Sequence, residues 1–377
     1  MANHPGIIDA DAHVAEPLTL WGDYLEPAFK ARGPRPARMP LAGEGRPDEA
    51  GVLEVDGAPI CDRVTGEIMV RSALHTMRAY PEAAKAGWTP ASHVDSLRRI
   101  GVDMAFLYPT TGAWLFAVDA MDPALAAALV RAYNRWLHDF CRHEPGFLRP
   151  VGAVCRHDPA EMVAELHRFA DLGWRAVYLR PNPIRGRTLA DPAYEPFWSA
   201  CEKLDVAVSI HEGTHARVPT AGADRFSTRF GMHACSHPLE QMMALLALVE
   251  GGVLERHPGL RVAFLEAGCG WLPYWLWRLD EEYAQVGWEV KRHVKQKPSA
   301  YFRRQCFVSV EPGEPYLDRV LDFIGEDNLL FGLDYPHMDH GPGALTDLIE
   351  NNETLPSRVM RKIFWDNPRR YYGLGPG

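Results

Sequence analysis

No stretch of the sequence is apolar for long enough to cross a bilayer: the longest, residues 242–254, is short and is interrupted by Glu250. The opening Met-Ala-Asn-His-Pro has neither a basic segment nor a long apolar one, so no export signal is expected. Cysteine is scarce, with seven in 377 residues, scattered and without a Cys-x-x-Cys pair. That pattern points to reduced thiols and a cytoplasmic setting, not a disulfide framework. Positive charge is short too: 40 Lys and Arg against 49 Asp and Glu leave a formal charge of −9. A nucleic-acid partner, which needs a basic surface, is therefore not expected. Internal repeats and low-complexity segments are also missing.

What is present is an ordinary globular composition, 47% hydrophobic and 24% charged, on a chain long enough for two domains or one large barrel with insertions. Short apolar runs alternate with longer amphipathic stretches. The runs at 6–13, 103–109, 149–155, 176–181, 206–211, 261–266, 306–310 and 329–334 read as eight strands, several of them aliphatic enough to be buried on both faces. Helical spacing follows at 92–100, 123–143, 159–172, 192–204, 239–248, 272–290, 315–324 and 357–372. Eight strands each followed by a helix predict one (β/α)8 barrel over 1–377. Residues 17–90 and 214–236 break the alternation after strands one and five. They are expected to be loops that build or cover a pocket, with a small separate domain at 17–90 as the alternative.

Ligand-type side chains gather at the strand ends. Asp9, Asp11 and His13 alternate with apolar residues and share one face of strand one. Carboxylates held that close resist joint ionisation unless a cation lies between them, so Asp11 and His13 make a plausible platform for a divalent metal. A turn cap is the plainer reading of the same residues. Strand five ends in His211 above the small residues Ala207 and Ser209, and strand eight ends in Asp334, which can ligate a metal or take a proton from metal-bound water. Strand six ends in Glu266, a candidate second-metal ligand or general base, or else a structural ion-pair partner. Glu16 could swing back to the metal or anchor its loop. His337 is read as a group contacting substrate, and His215 and His237 as possible pocket residues. Arg180, at the end of strand four, can hold a substrate carboxylate or form a structural pair. The aromatic group Trp271, Tyr274, Trp275, Trp277 and Trp288 reads as packing, with Trp271, Tyr274, Trp275 and Arg278 at the spacing of one helical face.

The motifs Asp-Ala-Asp-Ala-His-Val-Ala-Glu-Pro at 9–17, His211, Phe-Leu-Glu-Ala-Gly-Cys-Gly-Trp-Leu-Pro at 264–273, Phe-Gly-Leu-Asp-Tyr-Pro-His at 331–337 and Asn-Pro-Arg-Arg-Tyr-Tyr-Gly-Leu at 367–374 resemble the amidohydrolase-related family. That branch of the metal-dependent amidohydrolase superfamily also contains aminocarboxymuconate semialdehyde decarboxylase and the resorcylate-type decarboxylases. The resemblance runs from strand one to the C-terminus. It implies a distorted barrel and a catalytic divalent ion (Zn, Fe or Mn, one or two) on Asp11, His13, His211 and Asp334. Two departures stand out. The decarboxylase branch usually has His-x-His on strand one, where Asp11 stands here, and a catalytic histidine after strand six, where this chain has Glu266.

An ionised glutamate deprotonates water more readily than it protonates carbon. The expectation is therefore a hydrolase of an ester, thioester, lactone or amide in a small molecule. Asp334 or Glu266 would be the base, His337 would steady the oxyanion, and Glu16 would join Glu266 around a second ion. A non-oxidative decarboxylase of an aromatic or dienoic acid is the alternative, followed by a non-catalytic partner subunit that keeps the barrel. A redox role is a further possibility if two irons are present. A homodimer is the expected assembly.

Overall fold

The computed structural model describes residues 6–40, 49–61, 63–212, 220–337 and 339–375. In chain order its strands are β1 (Ile8–His13), β2 (Arg35–Pro40), β3 (Glu49–Val55), β4 (Ala58–Pro59), β5 (Met104–Tyr108), β6 (Leu148–Pro150), β7 (Gly152–Ala153), β8 (Ala176–Leu179), β9 (Ala207–His211), β10 (Val262–Leu265), β11 (Cys306–Val310) and β12 (Leu329–Phe331). Parallel pairing joins β1 to β5 and β5 to β6, then runs unbroken from β7 to β12. The third barrel strand of the sequence reading is thus two short pieces. They stay in line because the Val151 N–H donates to the Leu107 carbonyl at 3.2 Å.

The ring closes between β12 and β1 by single bonds, not by a ladder. Asp334 N–H donates to the Asp11 carbonyl (2.8 Å) and His13 N–H to the Tyr335 carbonyl (2.6 Å). Asp9 clasps the same seam: its Oδ1 accepts from Asp11 N–H and from Leu333 N–H, each at 3.0 Å. Gly332 is required at this point, because a Cβ there would sit 2.9 Å from the Asp11 Cβ. The result is a distorted (β/α)8 barrel, as the sequence pattern implied.

The outer helices start and stop where their caps stand. The Asp122 side chain accepts from Leu125 N–H to begin Pro123–Cys141, and Asp158 accepts from Ala160 and Glu161 N–H to begin Pro159–Asp171. Thr89 caps Pro90–Ile100, which ends at Gly101 in the left-handed region (φ 109°). The C-terminal helical stretch is less regular than its periodicity: Ser357–Arg361 and Asn367–Tyr371 flank a π-helical turn, Lys362–Asp366.

Neither long insertion is simply loop. Within 17–90, β2, β3 and β4 form an antiparallel sheet and Arg63–Ala79 is a helix. Val52, Leu53, Val55 and Ile60 are buried in the same apolar cluster as the barrel's outer layer. Its prolines and glycines hide the period, since Pro36 sits inside a strand opposite Leu53. The helix expected at 239–248 spans Arg229–Glu250 and takes up the end of the second insertion. Thr228 caps it, and Pro238, which reads as a boundary, lies inside it. The aromatic group divides: Trp271 and Trp275 pack against the core, whereas Tyr274, Trp277 and Trp288 are more than half exposed.

Candidate metal centre and active site

Six of the expected site residues converge at the C-terminal mouth of the barrel. The Nε2 atoms of His13 and His211 lie 3.1 Å apart. His211 Nε2 is 3.2 Å from Asp11 Oδ1 and 3.1 Å from Glu266 Oε2, and His13 Nε2 is 3.3 Å from Asp334 Oδ1. His337 Nδ1 approaches Asp334 Oδ1 at 2.6 Å, and its Nε2 meets Thr110 Oγ1 at 2.8 Å. Asp11, His13, His211 and Asp334 are each at most 3% exposed.

The backbone aims these groups in two ways. In β1 the alternation survives a register irregularity between Asp9 and Ala12 and turns Asp11 and His13 inward. Asp334 and Glu266, by contrast, lie just past the ends of β12 and β10, with φ of 55° and 53°. A left-handed turn, not strand alternation, swings them over the mouth. For residues other than glycine that conformation costs on the order of 1–3 kcal/mol and concentrates at functional sites.

The electrostatics call for a cation. Burial pushes the Asp334 carboxyl well above its ordinary range, and repulsion from Glu266, Asp339 and Asp11 adds to it. Asp11 is raised by burial as well. Burial pulls His211 down, but the facing carboxylates of Asp11 and Glu266 outweigh it and hold the imidazole at about 9. His13 is driven well below its usual value by burial and by its neighbours His337 and His211. Its Nδ1 stands 3.1 Å from the Pro109 carbonyl; a proton there leaves the Nε2 lone pair facing the cluster.

Asp11 Oδ1 and Asp334 Oδ2 are buried yet receive no hydrogen bond. Atoms that ligate one ion at about 2.1 Å lie roughly 3.0–3.4 Å from one another in octahedral or tetrahedral geometry. The His13–His211, His211–Asp11 and His13–Asp334 separations fall in that range. The residues present therefore fit a divalent metal. Three overlapping donor groups recur here: Asp11, His13 and His211; His13, Asp334 and His337; and Glu266, Asp334 and Asp339.

The remaining expectations divide. Glu16 faces away from the cluster. Its Oε1 accepts from Thr110 and Gly112 N–H and its Oε2 from Thr111 N–H, all at 2.9–3.0 Å, so it anchors the turn 110–112 and stands in none of the donor groups. Asp9, the other spare carboxylate of strand one, is spent on the barrel seam. Arg180 is 3% exposed and pairs with the fully buried Glu212 at 2.5 Å and with Asn182 Oδ1 at 3.1 Å, so its charge is met inside the protein. His215 lies outside the described residues.

Sequence reasoning missed Asp339 and gave His237 no partner. His237 Nε2 stands 3.5 Å from Glu266 Oε1. It lines, with Asp11, Glu266, Asp334, Asp339 and His340, a recess of about 220 Å³. Asp339 and His340 follow the motif at 331–337 after a single residue, the one signal that could have pointed to them.

The match to the amidohydrolase family model covers residues 8–374. The chain is 25% identical over 293 residues to the 2-amino-3-carboxymuconate-6-semialdehyde decarboxylase of Dictyostelium discoideum, covering 77% of this chain and 78% of that protein. It is 27% identical over 270 residues to the γ-resorcylate decarboxylase of Rhizobium radiobacter, covering 68% and 80%. Among solved structures, an amidohydrolase from Mycobacterium avium subsp. paratuberculosis K-10 superposes with a TM-score of 0.74 at 20% identity over 99% of this chain and all of that one. A dihydroxybenzoic acid decarboxylase from Polaromonas sp. JS666, with bound manganese and 2-nitroresorcinol, gives 0.64 at 19% identity over 99% and 98%. Both curated relatives carry decarboxylase names, and this tells against the hydrolytic expectation. With nearly every residue of the barrel inside the family match, the chain belongs to the amidohydrolase family.

Proposed function

We propose that the protein is a metal-dependent, non-oxidative decarboxylase of aromatic acids. The observation that carries the reading is the convergence of Asp11, His13, His211 and Asp334 at ligand spacing, with buried carboxylate oxygens left unbonded. The decarboxylase names of the relatives support the reaction class. Those four residues would hold the ion, with manganese the first candidate by analogy with the Polaromonas structure. When bound, the ion would supply Lewis-acid polarisation of the substrate.

The chain's own groups handle the proton. Carbon–carbon cleavage leaves an electron pair on the ring carbon, which must take up a proton. Glu266 lines the open space above the cluster and stands 3.1 Å from His211 and 3.5 Å from His237, so it is placed to relay a proton between His237 and the ring carbon. Thr110 and Asp334 hold the two ring nitrogens of His337 and thereby fix the ring beside His13.

One observation favours hydrolysis as a second reading: a carboxylate, not an imidazole, ends β10. The test is a panel of hydroxybenzoates and aryl esters or lactones incubated with manganese-loaded protein in D2O. Decarboxylation gives carbon dioxide and a deuterium on the ring. Turnover of esters or lactones with no carbon dioxide from any acid would refute the reading.

A further inference from the structure

The cluster opens into a chamber of about 650 Å³, far wider than the donor groups need. At its inner end stand His13, His211, Glu266, His337 and the guanidinium of Arg229. Its outer wall is built by the first insertion: Val52 and Leu53 from β3, and Met69, Leu74 and Met77 from the helix Arg63–Ala79, with Trp88 beyond. Among the described residues this outer wall carries no charged side chain. Leu74 and Met77 are 48% and 50% exposed, an apolar surface that the described residues leave uncovered.

Cavities of about 300–1,000 Å³ enclose ligands of drug size. An acid of one bare ring, seated on the cluster, would leave the wall at Leu53, Met69 and Met77 in water. A phosphorylated or sugar-bearing extension would meet no cation and few hydrogen-bonding groups on this side.

We propose that the substrate is an aromatic carboxylic acid bearing a hydrocarbon extension of several carbons, its acid end at the metal-binding cluster and its extension along Val52, Leu53, Met69, Leu74 and Met77. The acid end rests on the decarboxylase reading; the extension rests on the chamber alone. The reaction balances as carboxylate plus one proton going to carbon dioxide and the protonated ring.

The experiment uses the full chain loaded with manganese and a series of 2-hydroxybenzoates whose 6-alkyl group grows from none to heptyl. Each buried methylene is expected to raise kcat/KM about three- to fourfold, chiefly through KM, until the wall is covered. In parallel, binding of the corresponding 3-alkylphenols is followed by tryptophan fluorescence, Trp88 and Trp114 being part of the chamber lining. Ala73→Trp, at an exposed helical position on the same wall, should erase the gain with chain length. If the acids are inert while the phenols bind tighter with length, the decarboxylase reading fails and the chamber assignment stands. A flat or falling response to length in both series, or a gain that survives Ala73→Trp, overturns it.

Discussion

Asp334→Asn should move stability in opposite directions with and without metal. Asn is isosteric with Asp and tolerates the left-handed φ of 55° at this position, so the backbone turn after β12 survives the change. The donor oxygens of Glu266, Asp334 and Asp339 lie within 4.8 Å of one another. Two unit charges at that separation repel by about 3 kcal/mol at an effective dielectric of 20. Metal-free Asp334→Asn is therefore expected to be more stable than metal-free wild type by roughly 1–3 kcal/mol, less whatever the wild type relieves by holding a proton.

The pH dependence has a definite sign. The folded-state pKa of Asp334 is raised, so its contribution is fully present below the unfolded value of 3.8 and is lost as pH rises through the folded value. The advantage of the variant should accordingly grow with pH. With metal the order reverses wherever that advantage is under about 2.3 kcal/mol. At a free ion concentration a hundred times Kd the wild type gains about 2.7 kcal/mol, and a hundredfold weaker site gains only about 0.4. Urea titrations of chelator-stripped and manganese-saturated protein on both sides of neutrality read all four states. A stripped variant less stable than stripped wild type, or a variant that manganese stabilises as much, would refute the cation-site account of this cluster.

Glu16→Gln should lower stability by about 1–3 kcal/mol, through loss of a charged acceptor for three amides, while metal content by elemental analysis stays at the wild-type level; a fall in metal would make Glu16 a ligand after all. Arg180→Met leaves the Glu212 carboxylate buried without its guanidinium and should cost about 3–5 kcal/mol in urea denaturation. A raised KM with unchanged stability would instead restore Arg180 to the substrate. Buried His93, whose Nδ1 lies 3.3 Å from the Thr89 carbonyl, is pulled down to about 4 by burial, so its contribution is present above 6.5 and lost as pH falls toward 4. By pH 5 that amounts to about 2 kcal/mol. His93→Phe should flatten this part of the acid limb, as measured by the difference in urea midpoints between neutral and acidic buffer.

The sequence by itself determined the barrel and brought out the core of the candidate metal centre. Buried parallel strands read as aliphatic runs, and a ligand at the end of such a run can point only inward or outward, so Asp11, His13 and His211 were legible from a period of two. Asp334 and Glu266 were legible as residue types, but their aim comes from positive-φ turns that alternation does not encode. Only the tertiary structure decided which carboxylates serve the site and which serve the fold. Glu16 and Asp9 share a short segment with Asp11, yet one caps a turn a hundred residues on and the other locks the barrel seam. Arg180 likewise finds Glu212 across two strands, and His237 reaches Glu266 from a helix whose start the proline obscured. The chamber was hidden for the same reason. Its walls come from an antiparallel sheet and a helix that have no readable period of their own and take shape against the barrel, where a charge or an apolar face is fixed by partners distant in sequence.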